Sequence, residues 1–240
     1  MSNGTQLRSS AAAAEAYRTV QGRVDTLIRG RTDVADIPVP ACPEWSVRQT
    51  VSHLAGAAQD IASLNLDGVG SDRWTRAQID RLADHTLDEL LDLWAESTDS
   101  VTELITRSPE MLGGQAVFDA LTHEHDLRGA LGEPGSRTQD PAFDVAAGFL
   151  TAMLDRGIRH HAMPTLELTT PTTGTARLGD PANNASQIRL EISDFEALRA
   201  FGGRRSDRQL RALPWQDAPE ALLPIFHRGL VHPPANDLAE

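Results

Sequence analysis

The stretch Phe118-Asp119-Ala120-Leu121-Thr122-His123-Glu124-His125-Asp126-Leu127-Arg128 contains neither glycine nor proline, and most of its residues tolerate a helix interior. Wound as a helix, it sets Asp119 and His123 one turn apart and Asp126 three residues further on, so all three project from one side. Ala116, Ala120, Leu127, Ala130 and Leu131 follow helical spacing around His123, which places its imidazole within the stripe that folding must bury. An inward-facing carboxylate and imidazole one turn apart can hold a divalent metal if another helix supplies a further ligand. The other reading is a core histidine hydrogen-bonded to a neighbouring acid. His123 and His125 do not make a ligand pair, because helix residues two apart face different directions. Leu127 also stands where the metalloprotease helix signature needs its second histidine. His125 is therefore expected on the bundle surface.

The rest of the chain supplies the partner helices. Ala13, Tyr17, Val20, Val24, Leu27 and Ile28 recur with helical period within a first helix over 11–31. Pro38, Pro40 and Pro43 keep the next segment extended. Ser46 and Gln49 then form a capping box, with Trp45 just outside it to pack on the first turn. Val47, Val51, Leu54, Ala58 and Ile61 make the stripe of that second helix, and His53 lies at its edge, able to face into a bundle. A loop with Gly68 and Gly70 leads to a helical region over 75–107, with a break expected near His85. The helix carrying His123 stops at Gly132-Glu133-Pro134-Gly135, and a fifth runs from Pro141 to about His160.

Beyond Met163 the helical period is lost. Leu166–Thr170 and Ile188–Ile192 alternate like half-buried antiparallel strands, with Thr175–Leu178 a possible third. Ser193 and Glu196 read as another capping box, opening a helix that ends at Gly202-Gly203, and a further helix begins near Ser206. The expected fold is α+β: an antiparallel helical bundle over 1–162, then a small antiparallel-sheet-plus-helix domain over 163–240.

Composition narrows the chemistry. A net charge of −12 argues against nucleic-acid and anionic-membrane partners. No apolar run is long enough to span a bilayer, and the first residues lack a basic-then-apolar leader pattern. One cysteine rules out an internal disulfide and suits a reducing cytoplasm, which is the expected location. All 22 basic residues are arginine, so Schiff-base chemistry and a P-loop, which need lysine, are excluded. Cys42, between Ala41 and Pro43 with no base motif beside it, reads as structural rather than nucleophilic. Trp45 reads as a packing anchor. His85, His160, His161, His227 and His232 show no paired spacing.

Four landmarks occur together: Cys42-Pro43-Glu44-Trp45-Ser46-Val47-Arg48 leading to His53-Leu54; Asp119 and His123 before Asp126-Leu127; Phe195-Glu196-Ala197-Leu198-Arg199; and Gly203-Arg204-Arg205-Ser206. In this spacing the chain resembles the mycothiol-dependent maleylpyruvate isomerase family, whose members join a DinB-like four-helix bundle to a smaller α/β C-terminal domain. The resemblance implies a divalent ion, with zinc the expected metal, held by His53, Asp119 and His123. The family's isomerase has Glu at the acidic position, where this chain has the shorter Asp119. The resemblance also implies mycothiol as the thiol cosubstrate, used for isomerisation of, or S-transfer to, a small electrophile. Two imidazoles and one carboxylate leave a coordination position open, as in catalytic zinc sites.

Asp126 is a candidate acceptor that orients a ligand imidazole from behind; it is equally readable as a charge paired with Arg128 or another arginine. Arg204 and Arg205 are candidate clamps for a substrate carboxylate, with pairing to local acids as the plainer reading. Two functional alternatives stand beside the thiol-using enzyme: a DinB-like hydrolase whose metal activates water, and a non-catalytic binding module.

Overall fold

Four of the helix starts in the first half of the chain are set by hydroxyl side chains. Ser9, Ser46, Ser71 and Thr86 each accept a hydrogen bond from the backbone N–H three residues on, which satisfies a donor that the first helical turn would leave unpaired. At Ser46 the expected capping box is complete, with Gln49 reaching back to the Ser46 N–H at 2.8 Å. The computed structural model describes residues 7–135, 137–138, 140–182, 187–229 and 231–240. Its helices begin with α1 (Ser10–Ile28), α2 (Val47–Ala62), α3 (Asp72–Arg81), α4 (Leu87–Arg107) and α5 (Glu110–Leu131). The break expected near His85 separates α3 from α4. There Thr86 and Glu89 form a second capping box, so a new helix starts rather than an old one continuing.

The chain divides into two compact units, Ser9–Gly135 and the chain beyond it together with Arg8. The first is a bundle of the four long helices α1, α2, α4 and α5, with the short α3 laid against α2. Its core interleaves Val20, Val24 and Ile28 with Val51, Leu54, Leu90, Leu91, Val101, Val117 and Leu121, all essentially without solvent contact. Trp94 is fully buried among them and donates from Nε1 to the Tyr17 hydroxyl at 2.9 Å, so its one polar atom is paired inside the core. Gly132 ends α5 with φ +66°, a left-handed cap that costs glycine little.

The second unit holds α6 (Pro141–His160), β1 (Leu166–Thr170), β2 (Gly174–Leu178), β3 (Ile188–Glu191), α7 (Asp194–Phe201) and α8 (Asp207–Arg211). Packing joins α6 to β2 and α7, so the packing boundary falls near Gly135, although composition changes only at Met163. Residue preferences report where helix gives way to strand, and that need not be where one core ends. The strand order is β2-β1-β3, with β1 and β2 antiparallel. β3 pairs parallel to β1, with Leu166 opposite Ile188 and Leu168 opposite Leu190. The antiparallel expectation is thus corrected for this edge, because alternation specifies which face a residue lines and not the direction of its neighbour. Ser193 caps α7 as expected, but the Glu196 carboxylate goes to Arg205 instead of completing the box. Among the described residues, no helix is long and apolar enough to cross a membrane.

Candidate metal centre

The complete cap at Ser46 starts α2, and the seventh residue of that helix, His53, turns into the bundle. The His53 ring is buried there with its Nε2 inward, 3.5 Å from Asp119 Oδ2. His123 Nε2 reaches the same carboxylate from α5, 3.8 Å from Oδ1. These three donor atoms lie within 4.8 Å of one another. Two ligands on a tetrahedral zinc, at bonds of 2.0–2.1 Å, stand about 3.3 Å apart, and the two imidazole–carboxylate separations lie within about 0.5 Å of that spacing. Both histidines are buried, whereas the Asp119 side chain is 43% exposed. The cluster therefore has a closed floor of two imidazoles and a carboxylate at its mouth.

Each ring is held from behind through Nδ1. Gln78 Oε1 is 2.8 Å from His53 Nδ1, and Gln78 Nε2 donates to Asp60 Oδ2 at 2.8 Å. Asp126 Oδ2 is 3.0 Å from His123 Nδ1, within hydrogen-bonding range though off the ring N–H axis. Cys42 Sγ donates to the same Asp126 oxygen at 3.5 Å. Asp126 thus stands behind a candidate ligand. Its side chain has no solvent contact, and Arg128 donates to Glu124 at 2.9 Å. Burial pushes the His123 imidazole below its ordinary pKa, while Asp126 and Asp119 oppose the shift. A neutral imidazole is the form that ligates.

Trp45 closes the remaining side. Its ring centroid lies 5.3 Å from that of His53 and 5.6 Å from that of His123, so the residue read as a packing anchor packs on the site itself. His125, expected at the surface, is only 3% exposed. The reason is that α5 is buried all round from Ala120 to Leu127, so its polar positions lie inside along with the apolar ones. Glu124 shows the pattern: it is buried and accepts from Arg23 as well as Arg128.

Sequence reasoning passed over Gln78 and Asp60. Both are buried, yet Gln78 sits between Arg76 and Asp80 and Asp60 is itself a carboxylate, so neither carries a local signal of burial. The two candidate clamps lie in the second unit. Arg205 is buried there and donates to Glu196 at 2.7 and 2.9 Å and to Glu240 at 2.8 Å, the plainer of its two readings. Arg204 is half-exposed and donates to the Gly202 carbonyl at 3.1 Å.

A four-helix bundle with two inward imidazoles and a carboxylate at an open mouth defines a candidate metal-binding bundle protein. Residues 17–128, within the helical unit, match the mycothiol maleylpyruvate isomerase N-terminal domain. No curated protein and no solved structure matches the chain significantly.

Proposed function

We propose that the protein is a divalent-metal-dependent enzyme that activates a low-molecular-weight thiol, mycothiol, for isomerisation of, or S-transfer to, a small electrophilic substrate. The observation that carries this reading is the convergence of His53 Nε2, His123 Nε2 and the Asp119 carboxylate within a domain of the mycothiol family. The donor set fits a borderline cation such as zinc, and three protein ligands leave a further position for a small molecule. A bound divalent ion supplies positive charge there that favours the thiolate over the thiol.

The chain's own residues prepare that position. His53 and His123 present lone pairs from a dry floor, and Trp45 keeps water off their flank. Asp119, at the exposed rim, is the group placed to pass a thiol proton to solvent. The thiolate sulfur then attacks an electrophilic carbon. In an isomerase, addition to a conjugated C=C leaves a single bond free to rotate, and expulsion of the sulfur restores the double bond in the other geometry. In an S-transferase the new C–S bond persists, either because a leaving group departs from that carbon with its electron pair or because addition to a C=C is completed by a proton taken up from solvent at the neighbouring carbon.

The test uses cobalt in place of the native ion. Cobalt-loaded protein titrated with mycothiol is expected to gain a sulfur-to-cobalt charge-transfer band with one equivalent of thiol. Retention of cobalt without such a band turns the reading toward water activation and hydrolysis. Failure to retain any divalent ion removes both enzyme readings.

A further inference from the structure

A ring nitrogen can ligate only when the proton sits on the other one, and the structure shows what settles this for His53. Behind it runs a buried chain from His53 through Gln78 to Asp60. An ionised carboxylate offers acceptors only. Asp60 has Arg81 Nη1 3.2 Å from its Oδ1 as counter-charge, and Asn65 Nδ2 donates to that oxygen at 3.1 Å. The Gln78 amide must therefore turn its N–H2 toward Asp60, which leaves its carbonyl oxygen facing His53 Nδ1. That oxygen can only accept, so Nδ1 carries the proton and Nε2 keeps its lone pair toward Asp119 and His123.

We infer that Gln78 is a positioning residue that fixes His53 in its Nδ1–H form, with Asp60 setting the sense of the amide. The inference rests on the metal-centre reading above only for its purpose; the tautomer stands on the hydrogen bonds alone. The placement is built into the backbone, since a Cβ at Gly56 of α2 would fall 2.6 Å from Gln78 Cβ. Only a glycine lets α3 approach closely enough to put the amide behind the ring. The two imidazoles are also backed unequally. His123 has an anion, Asp126, at its Nδ1, whereas His53 has a neutral amide. A carboxylate raises ligand basicity more than an amide does, so His53 is the weaker and more exchangeable of the two donors.

The experiment reads nitrogen shifts of 15N-histidine in metal-free protein, at a pH well above the ordinary imidazole value. Wild type is expected to show His53 protonated at Nδ1 and bare at Nε2. Gln78→Leu is expected to move His53 to the Nε2–H form or a mixture and to weaken zinc binding about 10–100-fold, at unchanged helix content. Asp60→Asn keeps Gln78 but removes the obligate acceptor, and is expected to give a mixture; a merely space-filling Gln78 would leave the tautomer unmoved. A wild-type proton on Nε2, or a Gln78→Leu protein with unchanged tautomer and affinity, overturns the inference. If Gln78→Leu fails to fold, the wild-type and Asp60→Asn spectra decide. Should wild type show the Nδ1–H form yet bind no zinc, the metal reading fails and the Gln78 assignment stands.

Discussion

The rings of His53 and His123 meet edge to face with centroids 5.0 Å apart, one carried by α2 and the other by α5. Two neutral imidazoles gain little from each other at this distance, and both lose hydration, so the arrangement makes sense as two donors aimed at a shared third body. Replacing either with alanine is expected to lower zinc affinity by more than about 100-fold, beyond the 10–100-fold typical of residues that only support a ligand. Asp119→Ala is expected to do the same. Asp119→Glu is expected to stay within about 10-fold of wild type, because the half-exposed rim can accommodate one more methylene. Isothermal titration with zinc checks all four, and unchanged binding in His53→Ala would count against the site.

Acid should loosen the metal-free protein through His123. Its folded pKa lies below the ordinary value of 6.5, chiefly because burial disfavours the charged ring. The unfolded chain therefore takes up the proton first as pH falls. Stability linked to this residue is complete above about pH 6.5 and drains away as pH drops from there toward the lowered folded value. Denaturant midpoints measured from pH 7.5 to 5 should fall in wild type, with a shallower slope in His123→Gln. Zinc steepens the dependence, since protons compete for the same ring nitrogen.

Gly56→Ala separates local stability from ligand positioning. Alanine is favoured over glycine in a helix interior by about 1 kcal/mol. Against this, the new methyl would sit 2.6 Å from Gln78 Cβ and 3.3 Å from its Cα, an overpacking that costs about 1–3 kcal/mol. The two effects largely offset in global stability, so the melting temperature should drop only slightly. The displaced α3 takes the Gln78 amide away from His53, and zinc affinity should fall about 10-fold or more. A melting temperature and an affinity both equal to wild type would show that α3 can shift without consequence.

The bundle and much of its site could be read directly from residue spacing. Asp119, His123 and Asp126 share a helix, and their i, i+4 and i+3 offsets fix a common side whatever the surroundings. His53 could be placed on a helix edge, but its meeting with His123 depends on how α2 and α5 pack, which no local pattern encodes. The same limit hid Gln78, whose importance comes from Gly56 on another helix. It also concealed Cys42, whose thiol is held by Asp126 from far along the chain. His125 was misplaced for a related reason. Periodicity predicts one buried face, while α5 is covered on every side from Ala120 to Leu127. In the second unit, alternation found the strands but not the parallel pairing of β3, which is decided by the path of the connection.

Arg205 offers the sharpest contrast between the two readings available from sequence. As a clamp for a substrate carboxylate it would be a binding residue, and its loss would raise KM at unchanged stability. In the fold it is buried, bridging Glu196 and Glu240, and Glu240 is also gripped by the fully buried Arg199. Removing one partner from such a cluster leaves carboxylate charge with too little compensation, and buried pairs broken in this way typically cost 3–5 kcal/mol. Glu196 is partly exposed, so Arg205→Ala should lie near the low end, about 3 kcal/mol, read as a lower denaturant midpoint. Arg205→Lys keeps the charge but not the fork that serves two acids, and should fall between the two proteins. Zinc affinity should be the same in all three, because the cluster contains no residue of the helical unit. An Arg205→Ala protein with wild-type stability and a raised KM would instead establish the arginine as a substrate contact.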